Sequence, residues 1–146
     1  MIQRISSETL GEALGRVGLR STRQRELVFD VLMQTDAHPT ADEVLARARE
    51  VMPSISLATV YNCLETLVEC ALVKAVNLER EPTRYCANLR EHGHFHDVTS
   101  GNVYDVPLSN ELLENVMKQV PEGFIVERIE LNFIGRRLLR GTQKPL

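Results

Sequence analysis

Tryptophan is absent from this 146-residue chain, and cysteine and histidine are scarce, at three and four residues. The cysteines Cys63, Cys70 and Cys86 form no C-x-x-C pair. Neither a disulfide framework nor a zinc site made only of thiolates is expected, and the chain reads as a protein of a reducing compartment, the cytoplasm. No apolar stretch reaches the roughly 18 residues that a membrane-spanning helix requires. Residues Met1 to Glu8 carry no apolar core of a secretory leader, so no membrane partner is expected. An excess of positive charge is lacking too. The formal net charge is -3, which taken alone speaks against binding nucleic acid.

The distribution of charge says more than the sum. Arg16, Arg20, Arg23 and Arg25 fall within one acid-free stretch, whereas residues 89 to 135 are predominantly acidic. A local basic patch of that kind suffices to engage phosphates. Histidine is even more unevenly placed. His92, His94 and His96 alternate within His92-Gly93-His94-Phe95-His96-Asp97, and extended backbone would send all three to one face. Two readings stand at this point: a polar strand facing water, or a chelating pair, since neutral imidazole is the commonest metal ligand.

Read in order, the chain starts with helical spacing at Leu10, Ala13, Leu14 and Val17, ended by Gly18. Thr22 is placed to cap a second helix with Leu27, Val28, Val31 and Leu32 on its apolar stripe. Thr40-Ala41-Asp42-Glu43 matches the capping-box pattern after the break at His38-Pro39. The third helix is expected to bury Val44, Leu45, Ala48 and Val51. Ser56 caps a fourth, with Leu57, Val60, Leu64, Leu67 and Val68 inward; Cys63 and Cys70 on the same helix read as core. An extended pair, Leu72–Asn77 and Thr83–Ala87, follows, with Arg80 at its tip. Three helices and a hairpin outline a winged helix-turn-helix. Beyond it come the histidine strand, a turn at Ser100-Gly101-Asn102, a strand at Val103–Val106, a helix opened by Pro107-Leu108-Ser109, and an alternating strand from Phe124 to Ile134. So small a β-β-α-β unit has a thin core and calls for a symmetric partner.

Gly18-Leu19-Arg20-Ser21-Thr22-Arg23-Gln24-Arg25, His38-Pro39-Thr40-Ala41, Ser56-Leu57-Ala58-Thr59-Val60-Tyr61-Asn62 and the H-x-H strand occur in that order. With these segments the chain resembles the ferric uptake regulator family over about residues 10 to 135. The resemblance implies an α+β fold: a winged-helix DNA-binding domain at 1–88 and an α/β dimerisation and metal-sensing domain at 89–146. It implies a homodimer on double-stranded DNA with a palindromic operator. The implied function is regulation, as a repressor, of metal-homeostasis or peroxide-stress genes; an enzyme is not implied. The recognition helix becomes Leu57 to Cys70, with Thr59, Tyr61 and Asn62 near its exposed start. Many members carry arginine where Asn62 stands. Arg20 matches a basic residue reaching toward the minor groove, with Arg23 and Arg25 supporting it on the backbone.

By the same resemblance, the regulatory metal site maps onto His38, His92, His94 and Asp105. Cys86 stands where the family has a carboxylate. It is either a fifth ligand or a small buried hydrophobe whose place water or Glu91 fills. A thiolate would soften the site toward zinc or haem and away from manganese. One divalent ion per subunit is expected, iron(II) first, with zinc or manganese as alternatives. The family's structural zinc is not expected, because Asp97 and Ser100 replace the first C-x-x-C pair and Gly135 to Arg140 replace the second. Ile129 replaces an auxiliary histidine, and His96 receives no role. Aspartate at 105 resembles the peroxide-sensing branch; the missing pairs resemble the haem-responsive iron regulators. Two other readings compete. One is a metal-independent dimeric DNA-binding protein with a decayed site. The other is a zinc metallo-hydrolase, which would need further histidines after His96, and there are none.

Overall fold

The structure, a computed structural model, describes residues 7–88 and 90–139. The first six residues, Leu89 (the expected start of the second domain) and Arg140 in the stretch replacing the second C-x-x-C pair lie outside the described residues. The chain forms two compact units that divide between Arg90 and Glu91.

The first unit runs α1 (Ser7–Arg16), α2 (Arg23–Met33), α3 (Ala41–Val51), α4 (Leu57–Glu69), β1 (Lys74–Val76) and β2 (Arg84–Cys86). Its boundaries are set by local chemistry. The Thr22 and Ser56 side chains accept the backbone N–H of Arg25 and Thr59, capping α2 and α4. Thr40 and Glu43 close the expected capping box at α3, Oγ1 accepting the Glu43 N–H and the carboxylate accepting the Thr40 N–H. α1 ends in a left-handed residue, Gly18 (φ 75°), with the Leu19 N–H reaching back to Leu14 O. α4 ends the same way through Ala71 (φ 56°) and Leu72.

Helices α2, α3 and α4 pack on one another. Phe29, Leu10, Leu14, Leu32, Leu64 and Leu67 are the largest side chains sealed in the shared core. The expected inward face of α3 is corrected: Ala41, Val44 and Ala48 are buried, Leu45 only partly, and Val51 is 64% exposed. Val51 is the last helical residue, where the chain already turns away from α2 and α4. β1 and β2 form an antiparallel hairpin, Lys74 opposite Cys86 and Val76 opposite Arg84. In its loop Arg80 takes a positive φ of 65°. This is the winged-helix outline.

The second unit runs β3 (His92–Asp97), β4 (Val103–Pro107), α5 (Asn110–Met117) and β5 (Asn132–Gly135). β3 is central, antiparallel to β4 and parallel to β5. Asp97 organises the hairpin turn between β3 and β4. Its carboxylate accepts the Thr99 N–H at 2.9 Å and the Ser100 hydroxyl at 2.8 Å, while Gly101 (φ 75°) closes the turn. These bonds hold its carboxyl below the usual carboxylate range, the Ser100 bond foremost. The long strand expected from Phe124 to Ile134 is corrected: only Asn132–Gly135 pairs with β3. Alternation marks residues able to lie extended, but a strand also needs a ladder. Phe124 and Ile125, 73% and 92% exposed, have none. No side chain of α5 is buried. No helix among the described residues is long and apolar enough to cross a membrane.

Candidate metal centre and DNA-reading face

In the second unit, the period of two puts His92 and His94 on one face of β3, and the register with β4 puts Asp105 directly opposite His94. The two imidazole Nε2 atoms are 3.0 Å apart, their rings edge-to-face at 4.6 Å between centroids. Asp105 Oδ1 lies 3.3 Å from His92 Nε2 and 3.5 Å from His94 Nε2. Three donors from two strands thus converge. Ligand bonds of about 2.1 Å put tetrahedral donors about 3.4 Å apart, and the three separations here lie close to that value. Gly93 permits the approach of the neighbouring chain: a Cβ there would meet Leu131 O at 3.0 Å.

His96, left without a role by sequence, hydrogen-bonds Asn132 Oδ1 on β5 at 2.8 Å and is buried. It fastens β3 to β5 instead of joining the donor group. Asn132 lies 36 residues away in sequence, and no local pattern signals it.

In the first unit, His38 and Cys86 are both buried, and their donor atoms lie within 4.8 Å of one another. His38 comes from the loop before α3 and Cys86 from β2. The elements are tied together by Arg84, whose guanidinium donates to His38 O at 2.8 Å, and by the Tyr85 N–H on Pro39 O at 2.9 Å. The sequence carried Arg84 only as a neighbour of Cys86; its contact with a loop 46 residues earlier is invisible before folding.

The ferric uptake regulator family model matches residues 16–134. The ferric uptake regulation protein of Brucella abortus is 33% identical over 125 residues, covering 82% of this chain and 87% of its own. The peroxide-responsive repressor PerR of Staphylococcus aureus is 31% identical over 102 residues, covering 68% and 69%. Among solved structures, the ferric uptake regulator of Pseudomonas aeruginosa with manganese superposes with a TM-score of 0.71 at 25% identity, over 86% of this chain and 96% of that one.

The chain belongs to the ferric uptake regulator family. It is accordingly a metal-dependent, DNA-binding transcriptional regulator and not an enzyme, and dimerisation comes with the family. The metallo-hydrolase reading falls.

In this regulator α4 is the second helix of the helix-turn-helix. Tyr61 (42% exposed) and Asn62 lie open on its surface, while Thr59 is half-buried. Thr59 spends its N–H on Ser56 Oγ and shares a 2.9 Å hydroxyl contact with it, so it acts first as part of the cap. Arg20 and Arg23 are exposed, whereas Arg25 is half-buried and donates to Arg20 O at 2.7 Å, bracing the loop that carries Arg20. Arg25 also acts electrostatically on Cys63, whose thiol is pushed up by burial and pulled partly back by that guanidinium. The fully sheltered Cys63 is core, as expected; Cys70 is half-buried at the helix end. Burial raises the Tyr85 phenol, with the nearby Tyr61 and Glu65 adding to the rise.

Proposed function

We propose that this regulator is a dimeric repressor that senses one divalent ion per subunit through His38, Cys86, His92, His94 and Asp105, and reads a palindromic operator with Tyr61, Asn62 and Thr59. Residues 1–88 bind DNA and 89–146 dimerise and sense metal, in the cytoplasm. The observation that carries the reading is the His92–His94–Asp105 group. Two imidazole nitrogens held 3.0 Å apart beside one carboxylate oxygen are a donor set and a spacing suited to a divalent ion. A bound ion supplies a fixed positive centre that neutralises the carboxylate and thiolate and lets distant donors act as one unit.

The residues around that centre divide the work. His92, His94 and Asp105 hold their share of the donors on a rigid strand pair. His38 and Cys86 supply the share of the DNA-binding half, so that occupancy favours the arrangement in which both recognition helices fit half-sites one helical turn, or a multiple of it, apart. Arg20 reaches toward the minor groove, with Arg23 and Arg25 supporting it on the backbone. Iron(II) fits the ferric uptake and peroxide-responsive regulators among the relatives; the Pseudomonas aeruginosa relative was solved with manganese. The Cys86 thiol, in place of an oxygen donor, shifts preference toward zinc.

The test is footprinting of operator DNA with and without chelator, joined to metal titration of His92→Ala plus His94→Ala. Protection that vanishes with chelator, and metal affinity lowered at least about 100-fold in the double variant, support the reading. Identical protection in both conditions establishes the metal-independent alternative. A Soret band from tightly bound haem, without oxidation of a ligand histidine by peroxide in the ferrous form, assigns the haem-responsive branch instead.

A further inference from the structure

The loop that delivers His38 is buried and shaped by its contacts with β2. His38 precedes a proline, which excludes helical backbone at His38, and Pro39 has no N–H to donate. The carbonyls of both residues must find donors from elsewhere. They find them on β2: Arg84 Nη1 donates to His38 O at 2.8 Å and the Tyr85 N–H donates to Pro39 O at 2.9 Å. Thr40 then forms an isolated antiparallel bridge with Arg84. The same guanidinium nitrogen lies 3.7 Å from Glu43 Oε2, the oxygen that accepts the Thr40 N–H in the capping box. Arg84 therefore touches the His38 main chain and the cap of α3 at once, and it stands two residues from Cys86 on the same strand, hence on the same face.

We infer that Arg84 is a positioning residue that sets the separation of His38 and Cys86 before any ion arrives, with Glu43 as its anchor. This rests on the reading of His38 and Cys86 as ligands. The chemistry favours arginine over any other residue at 84. Its permanently charged guanidinium donates from Nη1 to the His38 carbonyl while lying 3.7 Å from the Glu43 carboxylate, and an ammonium on a stem of different length and shape would meet the two acceptors less well. Without the clip, the proline-bent loop and the short strand lose one of the bonds that set the separation of the two donors, and part of the ordering cost is met when metal binds. The same clip leads from a ligand's carbonyl, through Glu43, to the first turn of α3. Hence the ligand loop and the start of the helix-turn-helix move together.

The experiment is a chelator-competition measurement of zinc affinity on the full chain, with the melting temperature of the metal-free protein recorded for each variant. Arg84→Met is expected to weaken zinc about tenfold, in the range typical for residues that orient ligands. Arg84→Lys should recover part of that loss, and Glu43→Gln, which keeps an amide oxygen for the Thr40 N–H, should weaken zinc about threefold. His38→Ala is the reference. If His38→Ala weakens zinc and Arg84→Met does not, the positioning role is overturned, whatever the melting temperatures show. If His38→Ala leaves zinc affinity unchanged, the ligand assignment fails first and takes the proposal with it. Should Arg84→Met not fold without metal, Glu43→Gln decides: an unchanged zinc affinity overturns the proposal, and a weakened one with little change in melting temperature supports it.

Discussion

At the scale of single residues, Asp97 illustrates how one side chain can change employment when its neighbours change. It stands where a thiolate pair would hold a structural zinc, and it instead gathers the Thr99 N–H and the Ser100 hydroxyl into a turn. Because those donors favour the charged form, its folded pKa lies below the ordinary 3.8. The stabilisation it brings is present above that value and is lost as pH falls through the lower folded one. Asp97→Asn should therefore lower the melting temperature at pH 7, and the gap from the parent should close in melts run at increasingly acid pH below 3.8. A gap of constant size would mean that shape, not charge, holds the turn. Some placements could be read before folding and others could not. That His92 and His94 share a face was legible from strand periodicity, and their meeting with Asp105 from the resemblance. Asn132 and Arg84 were not, since each meets its partner across 36 or 46 residues of chain and leaves no local trace.

At the scale of elements, caps were the most legible feature of all. Thr22, Thr40, Ser56 and Ser109 each begin a helix by accepting a backbone N–H, a contact made within four residues and so present in the sequence itself. Ser56 carries more than its share, because it starts the helix that presents Tyr61 and Asn62. Ser56→Ala should cost about 1 kcal/mol and lower the melting temperature by roughly 4 °C; Ser56→Asp should restore most of it. Circular dichroism melts check both. No change in the alanine variant would show that packing of Val60, Leu64 and Leu67 fixes the helix start unaided. Extended segments were less legible. The alternating run before Asn132 has the pattern of a strand, yet its bonding to β3 begins only at Leu131, whose carbonyl accepts the His94 N–H, and the register starts at Asn132. Pairing is decided by what lies beside the segment, which periodicity does not record.

At the scale of the whole molecule, the second unit leaves an unusual amount of apolar surface open. α5 buries none of its side chains, and Leu112, Met117, Phe133 and Ile134 are all at least 42% exposed. Exposed apolar surface gathered on one small sheet-and-helix unit is what a dimer of this family needs to cover. A charge placed there should break it: Ile134→Asp, at a β5 position 62% exposed, should weaken dimerisation at least about tenfold in sedimentation equilibrium. A variant dimer as tight as the parent would move the interface away from β5. Where DNA is concerned, α4 carries acids at Glu65 and Glu69 and no lysine or arginine, so the proposed phosphate contacts of Arg20 and Arg23 near the start of α2 are open to a direct test. Arg23→Gln should weaken binding by a similar factor on every operator variant and flatten the salt dependence by about one unit of slope. A loss confined to one base position would make Arg23 a reader instead.

The glycine between the two histidines sets a limit on descent. A side chain at 93 would bring its Cβ to 3.0 Å from the Leu131 carbonyl, so that main chain would have to give by a few tenths of an ångström. Position 93 also faces away from His92 and His94 by strand alternation, so no further donor can be added to their face from there. A lineage starting from this protein would have to change metal preference through the donor positions themselves.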